Sequence, residues 1–208
     1  MNGGESARSR LLQTAARLFA EQGVGVVSLR EITREAGVKH ATAVQYHFGD
    51  RHGLLDAVLE GHFKAVEDRR TLMLDQADET GIAELRQLAE ILVRPLAAEL
   101  ADEPGRFFLR IYGQMLSPAT EKFVDDGSSM WRWRDAAAPF LPAYAHKLHP
   151  RFTAVSYATA ALASKAVDDK RSNDRLFVSR LIDVVTAIIT APVSDETAQL
   201  LAERSILH

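Results

Sequence analysis

Apolar residues recur at three- and four-residue intervals along most of the chain, so successive stretches each present one apolar face of a helix. Alternation of apolar and polar residues, which marks a half-buried strand, does not persist anywhere, and Asn-Gly occurs only at the very start. The pattern therefore predicts an all-α protein of about nine or ten helices.

Signals for helix ends divide the first part of the chain. Ser6 can cap a first helix that Gly23 ends. Ser28 and Glu31 form the S-x-x-E pattern of a capping box before a second, short helix that Gly37 ends. These signals predict a long helix followed closely by a short one.

A third short helix is predicted from Ala41 to His47, and Gly49-Asp50 separates it from a long helix that begins near Arg51. We expect a domain boundary inside that long helix near Lys64, with one domain over residues 1–64 and the other over 65–208. The two domains would then share a rigid element. Later amphipathic segments are predicted at 82–101, 104–116, 121–138, 150–172 and 174–191, with a short tail from Ser194.

Composition narrows the functional classes. The 208 residues are 47% hydrophobic, and the absence of cysteine excludes disulfides, thiolate metal sites and a cysteine nucleophile. No apolar run reaches the roughly 18 residues that cross a bilayer, and the polar start lacks a signal-peptide core, so we expect a cytoplasmic protein without membrane contact. The net charge of -3 argues against coating nucleic acid through bulk charge.

The three predicted N-terminal helices follow the helix-turn-helix plan, in which the second helix of the motif enters the major groove of DNA. Residues 1–65 carry eight Lys and Arg against seven Asp and Glu, so any DNA contact must come from a local arrangement of charge. The same helical corner also occurs in proteins that do not bind DNA, so specific residues have to decide.

The chain contains specific residues that favour DNA binding. The stretch from Leu29 to Val38 ends in Ala-Gly-Val, the stretch from Ala43 to Arg51 contains Tyr-His-Phe, and Leu54-Leu55 follow. In order, spacing and position, roughly residues 8 to 60 resemble the signature of the TetR family of transcriptional regulators. One departure is an extra residue between Gly37 and Phe48, which leaves the start of the recognition helix open.

The resemblance implies a dimer that binds a palindromic operator, usually as a repressor, with a divergent regulatory domain that senses a small molecule. It implies DNA contacts from the helix-turn-helix and the start of the fourth helix. The predicted DNA-binding residues are Arg30, Lys39, His40, Thr42, Gln45, Tyr46, His47 and Arg51.

Each contact has a chemical reason. Gln45 suits bidentate recognition of adenine, and Thr42 can touch a thymine methyl group or a phosphate. Tyr46 resembles the family tyrosine that meets a phosphate, and Arg51 occupies the family's basic position at the start of the fourth helix. Alternatively, Thr42 provides a helix-capping hydroxyl, the ring of Tyr46 packs against its neighbours, and the other exposed side chains are solvated surface. For His47 the alternative is a partly buried histidine that bonds to the backbone.

Two C-terminal segments are expected to form a dimer interface, at about 153–172 and 174–191. The first is rich in alanine and serine, which let helices approach closely, and the second has a broad apolar face. Together they resemble the family's four-helix interface across a two-fold axis. Alternatively, both segments close the core of one monomer.

A largely apolar effector is expected among the middle helices, where the resemblance places the family's pocket. Residues at helical spacing line two faces there. The predicted ligand-binding residues are Phe108, Tyr112, Met115, Met130 and Trp133. Stripes of this kind also occur as ordinary core.

Other classes of function have less support. The chain lacks a Gly-rich phosphate loop, an H-E-x-x-H motif and a nucleophile elbow, so we predict no enzyme, no cofactor and no metal site. A helical protein-interaction module remains the main alternative to a DNA-binding regulator.

Overall fold

The computed structural model describes residues 6–40, 42–82, 84–116, 128–140, 150–168 and 174–206. Within these ranges there are ten α-helices and no strand, which confirms the all-α prediction. The α-helices are α1 (Ala7–Gln22), α2 (Leu29–Glu35), α3 (Ala43–Phe48), α4 (Arg51–Thr80), α5 (Leu85–Ala97), α6 (Glu103–Met115), α7 (Ser129–Ala137), α8 (Pro150–Val167), α9 (Asp174–Ile189) and α10 (Asp195–Ile206). Two 3₁₀ turns, Ala98–Ala101 and Ala138–Phe140, follow α5 and α7.

The predicted helix-end signals act as expected in the N-terminal part. The Ser6 hydroxyl accepts a hydrogen bond from the Ser9 N–H at 3.1 Å, and the Ser28 hydroxyl accepts one from the Glu31 N–H at 3.2 Å. Gly49 has a φ of +78°, a conformation that strains any residue with a side chain, so the chain can turn directly from α3 into α4.

Several predicted boundaries move. The segment expected from Ile82 begins at Leu85, because the Glu84 and Gln87 side chains form a reciprocal capping box that fixes the start of α5. α7 begins at Ser129 within the segment predicted at 121–138, of which residues 121–127 lie outside the described part. α8 ends at Val167, and residues 169–172 of its predicted span also lie outside that part.

α4 carries buried side chains along its whole length and so contributes to the cores of both halves. Leu54, Leu55 and Leu59 are buried near its start, and Val66 and Leu74 are buried in its second half. α5 is buried on almost every side and packs against α4, α7, α8 and α9. The second half of the molecule is therefore organised around α5.

The start of α7 is fixed by a side chain of α4. Glu67 accepts a hydrogen bond from the Ser129 N–H at 2.8 Å, through Oε2, and one from Arg70 at 2.7 Å, through Oε1. Arg70 also donates to the Ser129 hydroxyl at 3.0 Å and is almost completely buried. The Glu67 carboxylate thus satisfies an N–H that the helix itself cannot pair, at the end where negative charge is favourable.

A second polar group, the carboxylate of Glu99, joins α4 to the turn that follows α5. Glu99 is only 5% exposed, and His62 Nδ1 and Arg69 Nη1 each lie 2.5 Å from one of its oxygens. Burial raises the pKa of the Glu99 carboxyl, but the hydrogen bonds from His62 and Arg69 outweigh burial and hold the pKa below its ordinary value. The ionised carboxylate is therefore the form that stabilises the fold.

We expect Glu99→Gln to lower the free energy of unfolding by about 1 to 3 kcal/mol at neutral pH, because a charged hydrogen-bond acceptor is lost. The pKa of Glu99 in the folded protein lies below the ordinary value of 4.5. The wild-type protein should therefore show its full excess in free energy of unfolding above pH 4.5 and lose that excess as the pH falls through the folded pKa. Urea denaturation of both proteins at neutral and acidic pH measures this. Glu60→Gln, an exposed change on α4, is the control. A difference between Glu99→Gln and the wild type that does not vary with pH would contradict this role for Glu99.

Candidate nucleic-acid interface

α1, α2 and α3 pack with the first turns of α4 into a small unit that we call the reading head. Its centre is formed by apolar side chains from each helix, all buried: Leu11, Ala15, Leu18, Phe19, Ile32, Ala43, Val44 and Leu54. Because Ala43 and Val44 face this core, the opposite side of α3 is turned outward.

The outward side of α3 carries three of the predicted DNA-binding residues. Thr42, Gln45 and Tyr46 are spaced to share one helical face, and all three are exposed. Tyr46 is 85% exposed, which is unusual for so large an aromatic side chain. The arrangement offers an amide, a phenol and a hydroxyl to a partner outside the molecule.

His47 lies at the edge of this face and is half-buried. Its ring meets the ring of Tyr46 edge-on, with centroids 4.9 Å apart, and lies 6.0 Å from the ring of Phe48. Phe48 packs against the reading-head core, and the Arg8 guanidinium lies 5.2 Å from its ring centroid. His47 therefore has ring contacts on both sides and faces solvent only in part.

The three remaining basic residues around the motif are free to meet a partner. Arg30, Lys39 and His40 are all exposed, and their side chains make no hydrogen bond or ion pair with the described residues. Arg30 lies in the first turn of α2, while Lys39 and His40 precede α3. Lys39 and His40 thus place two basic side chains directly before α3, although the whole chain is acidic.

Arg51, the predicted phosphate contact at the start of α4, already has partners within the free chain. In the structure its guanidinium turns inward and donates to the carbonyls of Val24 and Val27, at 2.5 Å for Val27. It also lies 5.3 Å from the centroid of the Phe19 ring. These contacts use the guanidinium to hold the α1–α2 connection, so the geometry favours a positioning role for Arg51 over direct phosphate binding.

Two arginines of α1 have a comparable role that the sequence did not indicate. Arg10 Nε donates to the Ala36 carbonyl at 3.1 Å, and Arg17 forms ion pairs with Glu35 at 2.6 Å and Glu21 at 3.1 Å. The pKa of Arg17 is raised chiefly by the hydrogen bond to Glu35. Both side chains fix α2 on α1. No short sequence motif indicates contacts of this kind between helices.

Comparison with known proteins agrees with this geometry. Residues 11–58 match the family described as bacterial regulatory proteins, tetR family, and this range covers the helix-turn-helix. This part of the chain is therefore a TetR-type DNA-binding unit.

A known transcriptional regulator has a similar sequence over about half of this chain. The HTH-type transcriptional regulator AcrR of Shigella flexneri is 31% identical over 107 residues, which are 51% of this chain and 48% of that protein. The chain thus spans about half the length of this relative.

Solved structures extend the likeness of fold to the whole molecule. AmtR of Mycobacterium smegmatis is 20% identical, with a TM-score of 0.56 and coverage of 98% of this chain and 96% of that one. A tetR family transcription regulator from Shewanella sp. PV-4 is 21% identical, with a TM-score of 0.59 and coverage of 87% and 96%. The helical second half therefore has the TetR fold as well.

The predicted effector residues separate into two groups. Phe108 and Trp133 are each 1% exposed, and Trp133 Nε1 donates to the Leu88 carbonyl at 2.7 Å, so both act as core in this structure. Tyr112, Met115 and Met130 are only partly buried and pack against that core.

An aromatic cluster surrounds Tyr112. The Tyr112 ring lies 5.1 Å from the Phe63 ring, edge-on, and 5.7 Å from the Phe108 ring, in a stacked arrangement. Burial raises the pKa of the Tyr112 hydroxyl.

Among the described residues no group of His, Cys, Asp and Glu could hold a metal ion.

The two predicted dimer helices each have one buried and one exposed face. Ala154, Ala158 and Ala166 of α8 are buried within the monomer, so these small residues form part of its own core. The exposed faces carry large apolar side chains: Tyr157 and Val167 on α8, and Leu176 and Val184 on α9.

None of the described helices is long and apolar enough to span a membrane.

We expect Arg51→Ala to destabilise the free protein by about 1 to 2 kcal/mol, because two carbonyls of the α1–α2 connection lose their donor. Chemical denaturation measures this loss. Arg30→Ala is the matched control: its exposed side chain has no partner among the described residues, so stability should stay unchanged. An Arg51→Ala protein as stable as the wild type would return Arg51 to the set of simple phosphate contacts.

Proposed function

We propose that this chain is a transcriptional repressor that binds an operator as a homodimer through α3 and is released by a small, largely apolar effector. The observation that carries the proposal is the exposed face of α3 with Thr42, Gln45 and Tyr46. These exposed side chains lie on, or directly before, the helix that enters the major groove in a helix-turn-helix.

The chemistry of the reading head supports a division of labour. Gln45 can donate to and accept from adenine in the major groove, so it is assigned to base recognition. Arg30, Lys39 and His40 can contact phosphates on either side, together with the hydroxyl of Tyr46. His47 is assigned to a phosphate at the edge, and Arg51 to positioning of the α1–α2 connection.

A homodimer is proposed because one short recognition helix rarely supplies enough contact for specific binding. Exposed apolar side chains on α8 and α9, with Val184 41% exposed, give a second copy of the chain a surface to cover. Two-fold symmetry would place the two reading heads on half-sites about one helical turn apart, roughly 34 to 36 Å, or a multiple of it.

The effector is assigned to the region around Tyr112, Met115 and Met130, where partly buried apolar side chains lie beside α4. A ligand there weakens DNA binding only if it binds more tightly to an arrangement of α4 and α6 that differs from the arrangement that binds the operator. Trp133 and Phe108 would then form the wall behind the ligand and keep their core role.

Selection of genomic DNA by the purified protein tests the proposed function. The sequences recovered should contain a palindrome or near-palindrome, and protection of one half-site by a monomer at micromolar concentration would contradict the proposal. Recovery of random fragments alone would favour a protein-interaction module instead.

On the selected operator we expect Gln45→Ala to cost about 1 to 3 kcal/mol of binding free energy, with little loss on random DNA, because one base contact disappears. Arg30→Ala should weaken both kinds of DNA alike and reduce the salt slope by about one, as the loss of a phosphate contact does. Titrations at several salt concentrations separate the two. Equal losses on both DNAs for Gln45→Ala would remove the assignment to base recognition.

We also expect Val184→Glu to convert the dimer to a monomer and to abolish specific binding, because it places a charge in an apolar interface. Sedimentation and operator titration report the two effects. Leu72→Glu, at a side chain that is 70% exposed on α4, is the matched control and should remain dimeric. If Val184→Glu stayed dimeric, the interface would lie elsewhere.

A further inference from the structure

The last turn of α6 lies between α8 and the reading head. Gly113 faces α8: a Cβ built on Gly113 would lie only 2.5 Å from the Cβ of Ala163. Carbon atoms in protein interiors approach to about 3.5 Å at best, so α6 and α8 can lie this close only because residue 113 has no side chain. Gly113 thus fixes the distance between α6 and α8.

The next residue, Gln114, faces the end of α1. Its Oε1 accepts a hydrogen bond from the Val24 N–H at 2.8 Å, and its Nε2 donates to the Phe19 carbonyl at 3.1 Å. The side chain lies at the surface, but both polar ends of its amide are engaged. Gln114 therefore pairs the Val24 N–H just beyond α1 and adds a second donor to the Phe19 carbonyl, which already accepts from the Gly23 N–H in the last turn of α1.

Val24 is held from both sides. Its N–H is bound by Gln114 of α6, and its carbonyl is bound by Arg51 of α4. The connection between α1 and α2 is consequently fixed by two helices that extend into the second half of the molecule. Rotation of the reading head relative to α6 would break the Gln114 contacts even if α4 remained intact.

We propose that the last turn of α6 positions the reading head relative to α8, with Gly113 setting the helix spacing and Gln114 fixing the head. This positioning is a property of each chain. Its consequence for operator binding rests on the proposed function. There α8 is assigned to the dimer interface, so the position of each reading head relative to α8 determines the distance between the two reading heads of the dimer. The residues act through geometry and touch no DNA.

The first test uses Gly113→Ala, which forces α6 away from α8. The added methyl group should weaken operator binding by about 5- to 150-fold, the usual range for coupling between sites. The double variant Gly113→Ala with Ala163→Gly removes the opposing methyl group and should recover most of the affinity. Gly61→Ala is the control, because a Cβ there meets nothing within 4 Å.

The second test uses Gln114→Met, which keeps the length of the side chain and removes both hydrogen bonds. Amide hydrogen exchange at Val24 should become faster, and operator binding should weaken. Gln76→Met makes the same chemical change on the exposed surface of α4 and should do neither. Gln114→Met also keeps the proposal testable if Gly113→Ala fails to fold.

A distance measurement decides the positioning without DNA. The chain has no cysteine, so Arg34→Cys on α2 and Thr153→Cys on α8, both at exposed positions, can each carry one spin label, with labelled protein diluted into unlabelled protein. The label-to-label distance should be narrow in the parent and in the Gln76→Met and Gly61→Ala controls. It should be shifted or broadened in Gly113→Ala and Gln114→Met.

Unchanged distances in both variants would overturn the proposal, as would failure of Ala163→Gly to rescue Gly113→Ala. A wild-type protein that selects no operator would instead overturn the proposed function. In that case the label distances and the Val24 exchange would still decide the positioning role of α6.

Discussion

One helix shared by two domains is the constraint on which the rest of the structure depends. α4 contains 30 residues, and at 1.5 Å per residue it spans about 45 Å. Its first turns complete the reading head, and its second half lies in the core of the second half of the molecule. A helix of this length can bend, so its side contacts, rather than its continuity, determine where the reading head lies.

Those side contacts share one chemical theme, in which a side chain from one helix satisfies backbone groups at the end of another. Arg51 binds the connection after α1, and Glu67 binds the first N–H of α7. Arg106 of α6 does the same at the end of α8, where it donates to the carbonyls of Lys165 and Asp168 at 3.4 and 3.2 Å. Because unpaired backbone groups are costly when buried, each of these contacts fixes both position and orientation of a helix end.

The sequence predicted what is local and failed where two distant segments meet. Helix identities and most ends followed from apolar periodicity and from short-range capping by residues such as Ser6 and Ser28, which the structure confirms. The resemblance to the TetR family placed Gln45 and Tyr46 among the predicted DNA contacts, and in the structure both are exposed because Ala43 and Val44 face the core.

Nothing in the local sequence indicates that Arg51 turns inward, since its acceptors are backbone carbonyls whose direction depends on a loop more than 20 residues earlier. The small residues of α8 were open to two interpretations for the same reason. Ala158 is buried in the monomer, and only the shape of the facing helix decides whether a small residue serves the monomer or a dimer.

The acidic net charge of the chain makes the local arrangement of the reading head necessary for DNA recognition. With a net charge of -3, the molecule as a whole does not attract DNA, so binding must depend on cations that are free and close to α3. The arginines that hold α1, α2 and the α1–α2 connection are committed to carboxylates or carbonyls, whereas Arg30, Lys39 and His40 remain uncommitted among the described residues. The reading head thus has one set of basic side chains that stabilise its own fold and a second set that can contact phosphate. In the proposed function, base recognition depends on Gln45 and phosphate binding includes Tyr46, and the orientation of both side chains depends on contacts outside the motif.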